Sequence, residues 1–212
     1  DQEQFNLTRF SLFFPEKRGF FLEGADIFRI GERYREFQPP STLLFFSRTI
    51  GLSEDGKEIP VIGGMRMTAK IGGYDLGILE LLADRTSYLE DDERVNIDRT
   101  NYSVFRIKRD ILNKSTLGLM VLSKNSLDSS AYNGGAGFDF NLAFGQSVKM
   151  MGFAAKTFTP GITGKDWAAY MDFIYESDTL KVDVSYTDIG EDFNAEMGFI
   201  PRLDIRKVRG NV

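Results

Sequence analysis

The sequence predicts an all-β chain: strands of an antiparallel up-and-down transmembrane β-barrel, or part of one, behind a mixed lead-in segment. Three observations predict it. From about residue 41 the chain is a series of runs, roughly nine to twelve residues each, in which apolar and polar residues alternate. The connections between runs alternate between short and long. No stretch approaches the ~18–20 uncharged apolar residues that a membrane-crossing helix needs.

The lead-in covers residues 1–40. Its stretch from Phe10 to Gly24 is rich in aromatics with charges embedded, and Pro15 and the glycines break it into short pieces. Gln38-Pro39-Pro40 ends it. It reads as a strand plus a short helix, packed at the periplasmic mouth of a barrel or inside its lumen.

Residues 41–212 carry roughly eight or nine candidate strands. Val61, Met65, Met67 and Ile71 alternate with Gly64, Arg66, Thr68 and Lys70. Ala136, Phe138, Phe140, Leu142 and Phe144 alternate with Gly137, Asp139, Asn141 and Ala143. Trp167, Ala169, Met171, Phe173 and Tyr175 share one face, with Asp172 and Glu176 on the other. Leu180, Val182, Val184 and Tyr186 oppose Lys181, Asp183, Ser185 and Thr187, and Phe199, Leu203 and Ile205 oppose Arg202, Asp204 and Arg206. A period of two puts each set on one side of a strand, whereas a helix would scatter it.

Tight turns are expected at Gly72-Gly73-Tyr74-Asp75, Asn113-Lys114-Ser115, Gly145-Gln146-Ser147 and Ser177-Asp178. The other connections, roughly 84–99, 125–132, 159–165 and 188–196, are longer. Outer-membrane barrels have short periplasmic turns and longer outer loops. In lipid an open edge leaves backbone groups unpaired at several kcal/mol each, so such a sheet must close. Lys207 to Val212 lacks a final aromatic, and further strands are expected beyond it. Asp1-Gln2-Glu3-Gln4 lacks the basic start and apolar core of a signal peptide. Either a signal has been removed or the chain begins inside a longer protein.

Composition narrows the chemistry. The 212 residues include no cysteine and no histidine, which excludes disulfides, zinc–thiolate centres and Cys or Ser–His nucleophile systems within the chain. A net charge of −5 with dispersed basic residues argues against a nucleic-acid surface.

The polar strand faces are the candidate functional residues. In a barrel they line the lumen: Arg66, Lys70, Glu80, Arg106, Lys108, Asp139, Asp172, Lys181, Asp183, Arg202, Asp204 and Arg206. Both signs occur, which suits internal ion pairing better than a passage of one sign. Asp172 and Lys181 are expected to be diagonal neighbours across the Ser177-Asp178 turn. Tyr102, Phe144, Phe158, Trp167, Tyr175 and Tyr186 lie near strand ends, where barrels carry aromatic girdles.

Other candidates have blander readings. Glu90-Asp91-Asp92-Glu93 with Asp98 offers oxygen ligands for Ca²⁺, but without the spacing and glycine of a calcium loop it reads as a solvated loop. Asp188 with Glu191 or Asp192 has the residue types of a glycosidase pair, but a loop-structuring role fits better. Asp55-Gly56 reads as a hairpin turn. No catalytic residue, metal or cofactor is expected.

Several stretches resemble a family of Gram-negative outer-membrane proteins of undetermined function. They are Asn6 to Arg18, Phe20 to Phe28, Phe46-Ser47-Arg48 with Ile50-Gly51-Leu52, Gly164 to Trp167, Tyr186 to Asn194, and Gly198 to Arg202. Gly19 and Ala195 stand where the family pattern has proline, a difference that bears on turn rigidity. The resemblance implies a carbohydrate-binding-like sandwich of the family-nine type before Asp1, then a barrel whose first part is this chain. It implies no catalytic residues. Any glycan contact through the sandwich falls outside this sequence.

The expectation is therefore an outer-membrane barrel protein with a transport, export or scaffold role. Its partners are outer-membrane lipid, other envelope proteins and glycans bound by the preceding domain. The alternatives are a soluble β-barrel or sandwich that binds a ligand, and a component of an envelope glycan-processing enzyme.

Overall fold

The computed structural model describes residues 13–32, 42–53, 56–90 and 92–212. Nine of its strands form one antiparallel sheet. They are β1 (Val61–Ile71), β2 (Tyr74–Ala83), β5 (Thr100–Leu112), β6 (Ser115–Ser126), β7 (Tyr132–Phe144), β8 (Val148–Phe158), β9 (Trp167–Glu176), β10 (Lys181–Ile189) and β11 (Ile205–Asn211), side by side in that order. β3 (Thr86–Glu90) and β4 (Glu93–Ile97) form a separate hairpin inside the connection from β2 to β5. Each strand of the large sheet pairs with the one before it, an up-and-down meander. β1 and β11 are its two edges and do not pair with each other, so the sheet is open.

The connections sort by end. At one end lie the tight ones, beginning with Gly72-Gly73, whose φ values of 56° and 81° suit glycine and the two-residue hairpin turn between β1 and β2. At the other lie the β3–β4 hairpin and the longer connections 127–131, 159–166 and 190–204. β1 and β11 both start at this loop-bearing end.

Residues 13–32, 42–53 and 56–60 pack across one face of the sheet, here called the covered face. Phe21 lies in a short helix, α1 (Gly19–Leu22), and Phe28 in a 3-10 turn, Ala25–Phe28. With Ile30, Leu44 and Ile50 they enter one apolar core with Leu79, Val104, Met120, Leu122 and Phe153 from the strands. Gly137 permits this approach: a Cβ there would come within 2.6 Å of Leu44 and 2.9 Å of Ile30. The 190–204 connection folds over the same face, burying Phe193 and Met197. Leu43 and Phe199 exchange two backbone hydrogen bonds of 2.9 Å, which ties that connection to the lead-in.

Three expectations change here. The last strand begins at Ile205, so Arg202 and Asp204 lie in the connection before it, not on a strand. Phe199 belongs to the bridge with Leu43 and not to the final strand's alternation. The connection at residues 84–99, expected as a loop, contains the β3–β4 hairpin. The family-like stretch through residue 12, Gln38-Pro39-Pro40 and Asp91 lie outside the described residues, as does Asp55 of the Asp-Gly turn; around that turn Ser53 N–H donates to the Lys57 carbonyl at 2.9 Å.

Glu16 and Arg18 hold the lead-in together. Arg18 donates to Glu16, to the Ile50 carbonyl at 2.7 Å and to the Ser47 carbonyl at 2.8 Å. Burial alone would push the Glu16 carboxyl up. Hydrogen bonds from the Arg18 side chain and backbone and from Ser47, with the Arg18 charge, outweigh it and hold the group at about 2 against an ordinary 4.5. A depressed carboxylate stabilises the fold above its unfolded value and loses that contribution as pH falls toward the folded one. Between pH 4.5 and about 2 the lead-in is therefore expected to lose on the order of 1 kcal/mol, the shift being discounted for solvent screening of a partly exposed pair. Limited proteolysis of residues 13–60 against pH should show a steep acid transition that Glu16→Gln flattens; identical profiles would remove this role from Glu16.

Candidate functional site

The strands sort the sequence-predicted polar residues onto two faces. Arg66, Lys70, Arg106, Lys108, Asp139, Asp172, Lys181 and Asp183 share the covered face. Arg106 is fully buried and grips Asp139 with two hydrogen bonds, of 2.6 and 2.9 Å, while its Nε donates to the Ile27 carbonyl at 3.0 Å. Arg66 donates to the carboxylate and backbone carbonyl of Glu23. Lys70 faces Asp75 at 3.3 Å and Asp110 at 3.7 Å. Several of these charges thus meet partners of opposite sign on the sheet or the lead-in.

Three placements differ from expectation. Glu80 lies on the opposite, bare face, where it accepts from Asn101 at 2.7 Å. β2 is apolar on both faces, with Leu79 and Leu81 in the core and Leu76, Ile78 and Leu82 opposite, so alternation gives no sign of its orientation. Arg206 also lies on the bare face, 3.0 Å from Asp188. Asp172 and Lys181 are not diagonal neighbours. The turn spans residues 177–180, so Lys181 pairs with Glu176 at 3.2 Å and Asp172 sits opposite Ser185.

The bare face is an apolar belt across all nine strands, with Met67, Ile78, Phe105, Val121, Phe138, Met171, Val184 and Val208 among its residues. Its charged residues lie toward the two ends: Glu80, Lys156, Asp188 and Arg206 near the loops, Arg109 near the turns. Aromatics mark both margins, with Tyr132, Phe158 and Trp167 at the loop end and Tyr74, Phe144 and Tyr175 at the turn end. At ~3.3 Å per residue and a tilt of ~40°, the margins stand about 20 Å apart on β9 and about 30 Å apart on β7. Tyr102, expected with these aromatics, lies on the covered face and is only 4% exposed.

A cleft of about 1670 Å³ opens at the loop-bearing end, between the lead-in, the β3–β4 hairpin and the connections after β6, β8 and β10. Its floor is a row across neighbouring strands: Tyr102 on β5 is in register with Lys124 on β6, and Lys124 with Asn133 on β7. Lys124 pairs with Glu196 at 2.7 Å. Asn133 donates to Thr159 and to the Asn194 carbonyl, both at 2.8 Å. Phe14, Phe46 and Phe199 also line it; the last two rings lie 5.7 Å apart, edge to face.

Of the carboxylates singled out in the sequence, Asp98, Asp188, Glu191 and Asp192 are otherwise engaged. Asp98 accepts from Ser126 and Ser129, both at 2.6 Å, and these hydroxyls hold its carboxyl below the usual range. Asp188 accepts from Tyr186 at 2.8 Å, Glu191 meets Lys165 at 3.3 Å, and Asp192 accepts from the Lys165 N–H at 3.0 Å. Among the described residues no cluster of carboxylates is arranged to hold a metal. Among the described residues no helix is long and apolar enough to cross a membrane.

No family model, curated protein or solved structure matches this chain. What it does has to be read from its geometry.

Proposed function

We propose that this sheet is wall of an outer-membrane β-barrel, in a protein that transports, exports or anchors a cargo at the envelope. The bare face carries the proposal. Soluble monomers rarely expose contiguous apolar patches above a few hundred Å². Here nine adjacent strands present one, and residues as large as Met65, Phe138 and Val208 remain exposed on it. Acyl chains suit such a face, and the aromatic margins, ~20–30 Å apart, fit the ~25 Å apolar band of known barrels. The opposite face, with its ion pairs and packed lead-in, suits a filled lumen. The resemblance of the sequence to outer-membrane proteins supports the same reading.

The test is behaviour with and without detergent. The refolded chain is expected to be β-rich and monodisperse only in detergent or lipid, and to migrate differently on a gel before and after boiling. A β-rich, monodisperse chain in plain buffer would overturn the proposal in favour of a soluble ligand-binding module.

A further inference from the structure

We propose that the cleft at the loop-bearing end binds a neutral oligosaccharide. The inference stands apart from membrane placement, because the cleft is built on the covered face and the connections and not on the apolar belt.

Size is the first argument. Sites for single small molecules usually enclose ~300–1,000 Å³. This cleft has about 1670 Å³, which suits a ligand several units long.

Charge is the second. Glu58, Glu90, Asp98 and Glu196 line the cleft against Arg48 and Lys124. The excess of carboxylates repels acidic ligands, and Lys124 is already neutralised by Glu196.

The third argument is a hydroxyl open to the cleft. Asn133 is satisfied within the floor, donating to Thr159 and to the Asn194 carbonyl. Tyr102 lines the cleft, and its hydroxyl is not among the fully buried unpaired atoms, so it reaches solvent there. A sugar hydroxyl can replace the water that pairs with it.

The fourth is the apolar share of the lining. Phe14, 37% exposed, Phe46 and Phe199 add apolar surface to the polar residues of the cleft. A pyranose matches both, with C–H faces for the rings and hydroxyl edges for the floor. A wholly apolar ligand would leave the Tyr102 hydroxyl unpaired.

The experiment titrates the folded chain, in detergent if it requires detergent, with neutral hexasaccharides of glucose, mannose and N-acetylglucosamine. A sulfated hexasaccharide and an oligolysine serve as counter-probes, and calorimetry reads binding. Saturable binding of a neutral hexasaccharide is expected, about tenfold weaker in Tyr102→Phe, the loss of one hydrogen bond. Phe14→Ala, at an exposed position that leaves the fold intact, is expected to weaken it several-fold, and Asp183→Asn, outside the cleft, to leave it unchanged. Absence of neutral binding, tighter binding of either counter-probe, or binding indifferent to both Tyr102→Phe and Phe14→Ala would overturn the proposal. None of these results bears on the detergent test of the membrane reading.

Discussion

Replacing Phe138 by arginine is expected to cost insertion about 2–4 kcal/mol, enough to shift a population from mostly assembled to mostly not. Phe138 sits near the middle of β7 on the bare face and is 45% exposed, so under the membrane reading an arginine there sits among acyl chains. Neighbouring strands offer it no acid, since Leu119 and Ala154 face it. Asp183→Arg on the covered face reverses a charge in a polar setting and is expected to be much milder. Both are read in lipid vesicles, as the fraction resistant to protease and shifted on an unboiled gel. Equal tolerance of arginine on the two faces would show that the faces have been assigned wrongly.

Asp139→Ala is expected to destabilise the sheet and lead-in together by about 3–5 kcal/mol. The reason is what it leaves behind: Arg106 has no exposed surface and would keep its charge without its carboxylate. Its guanidinium lies over Gly118, where an added Cβ would fall 2.5 Å from one nitrogen, so the group is closely packed against the sheet. The Ile27 carbonyl accepts only from Nε and cannot replace the ion pair. Arg106→Met removes the charge and leaves Asp139 partly exposed, so it should cost less. The double variant should recover much of the Asp139→Ala loss, because no buried charge remains. Denaturant unfolding in detergent measures all three. A single-variant cost below about 1 kcal/mol would mean that the pair does not bind the lead-in to the sheet.

The strands were legible because most of them bury one face and not the other. β7, β9 and β10 alternate in sequence as they do in space. β2 was not legible in this way: the lead-in supplies an apolar partner for Leu79 and Leu81, so both its faces are apolar and Glu80 could be assigned to the wrong one. Register across the β9–β10 turn failed on two residues of turn length, which moved Asp172 away from Lys181. Phe199 and Leu203 imitated a strand because two alternating pairs are too short to tell a strand from a connection with chance spacing. The cleft left no local signal. Phe14, Tyr102, Lys124, Asn133 and Glu196 come from five separate stretches, and only the register of β5, β6 and β7 brings the floor together.

The common direction of β1 and β11 constrains any ring made from this sheet. In an all-antiparallel ring neighbouring strands alternate in direction, so the total must be even, and nine strands require an odd complement. A second copy supplies an odd nine but fails on direction. Related by an axis along the ring, they would join β1 of one to β11 of the other in parallel. Related by an axis across it, they would form antiparallel seams but point their loop-bearing ends to opposite sides of the bilayer. Antiparallel closure with all the loops on one side thus calls for strands of a different sequence, odd in number, and symmetry alone rules out a twin.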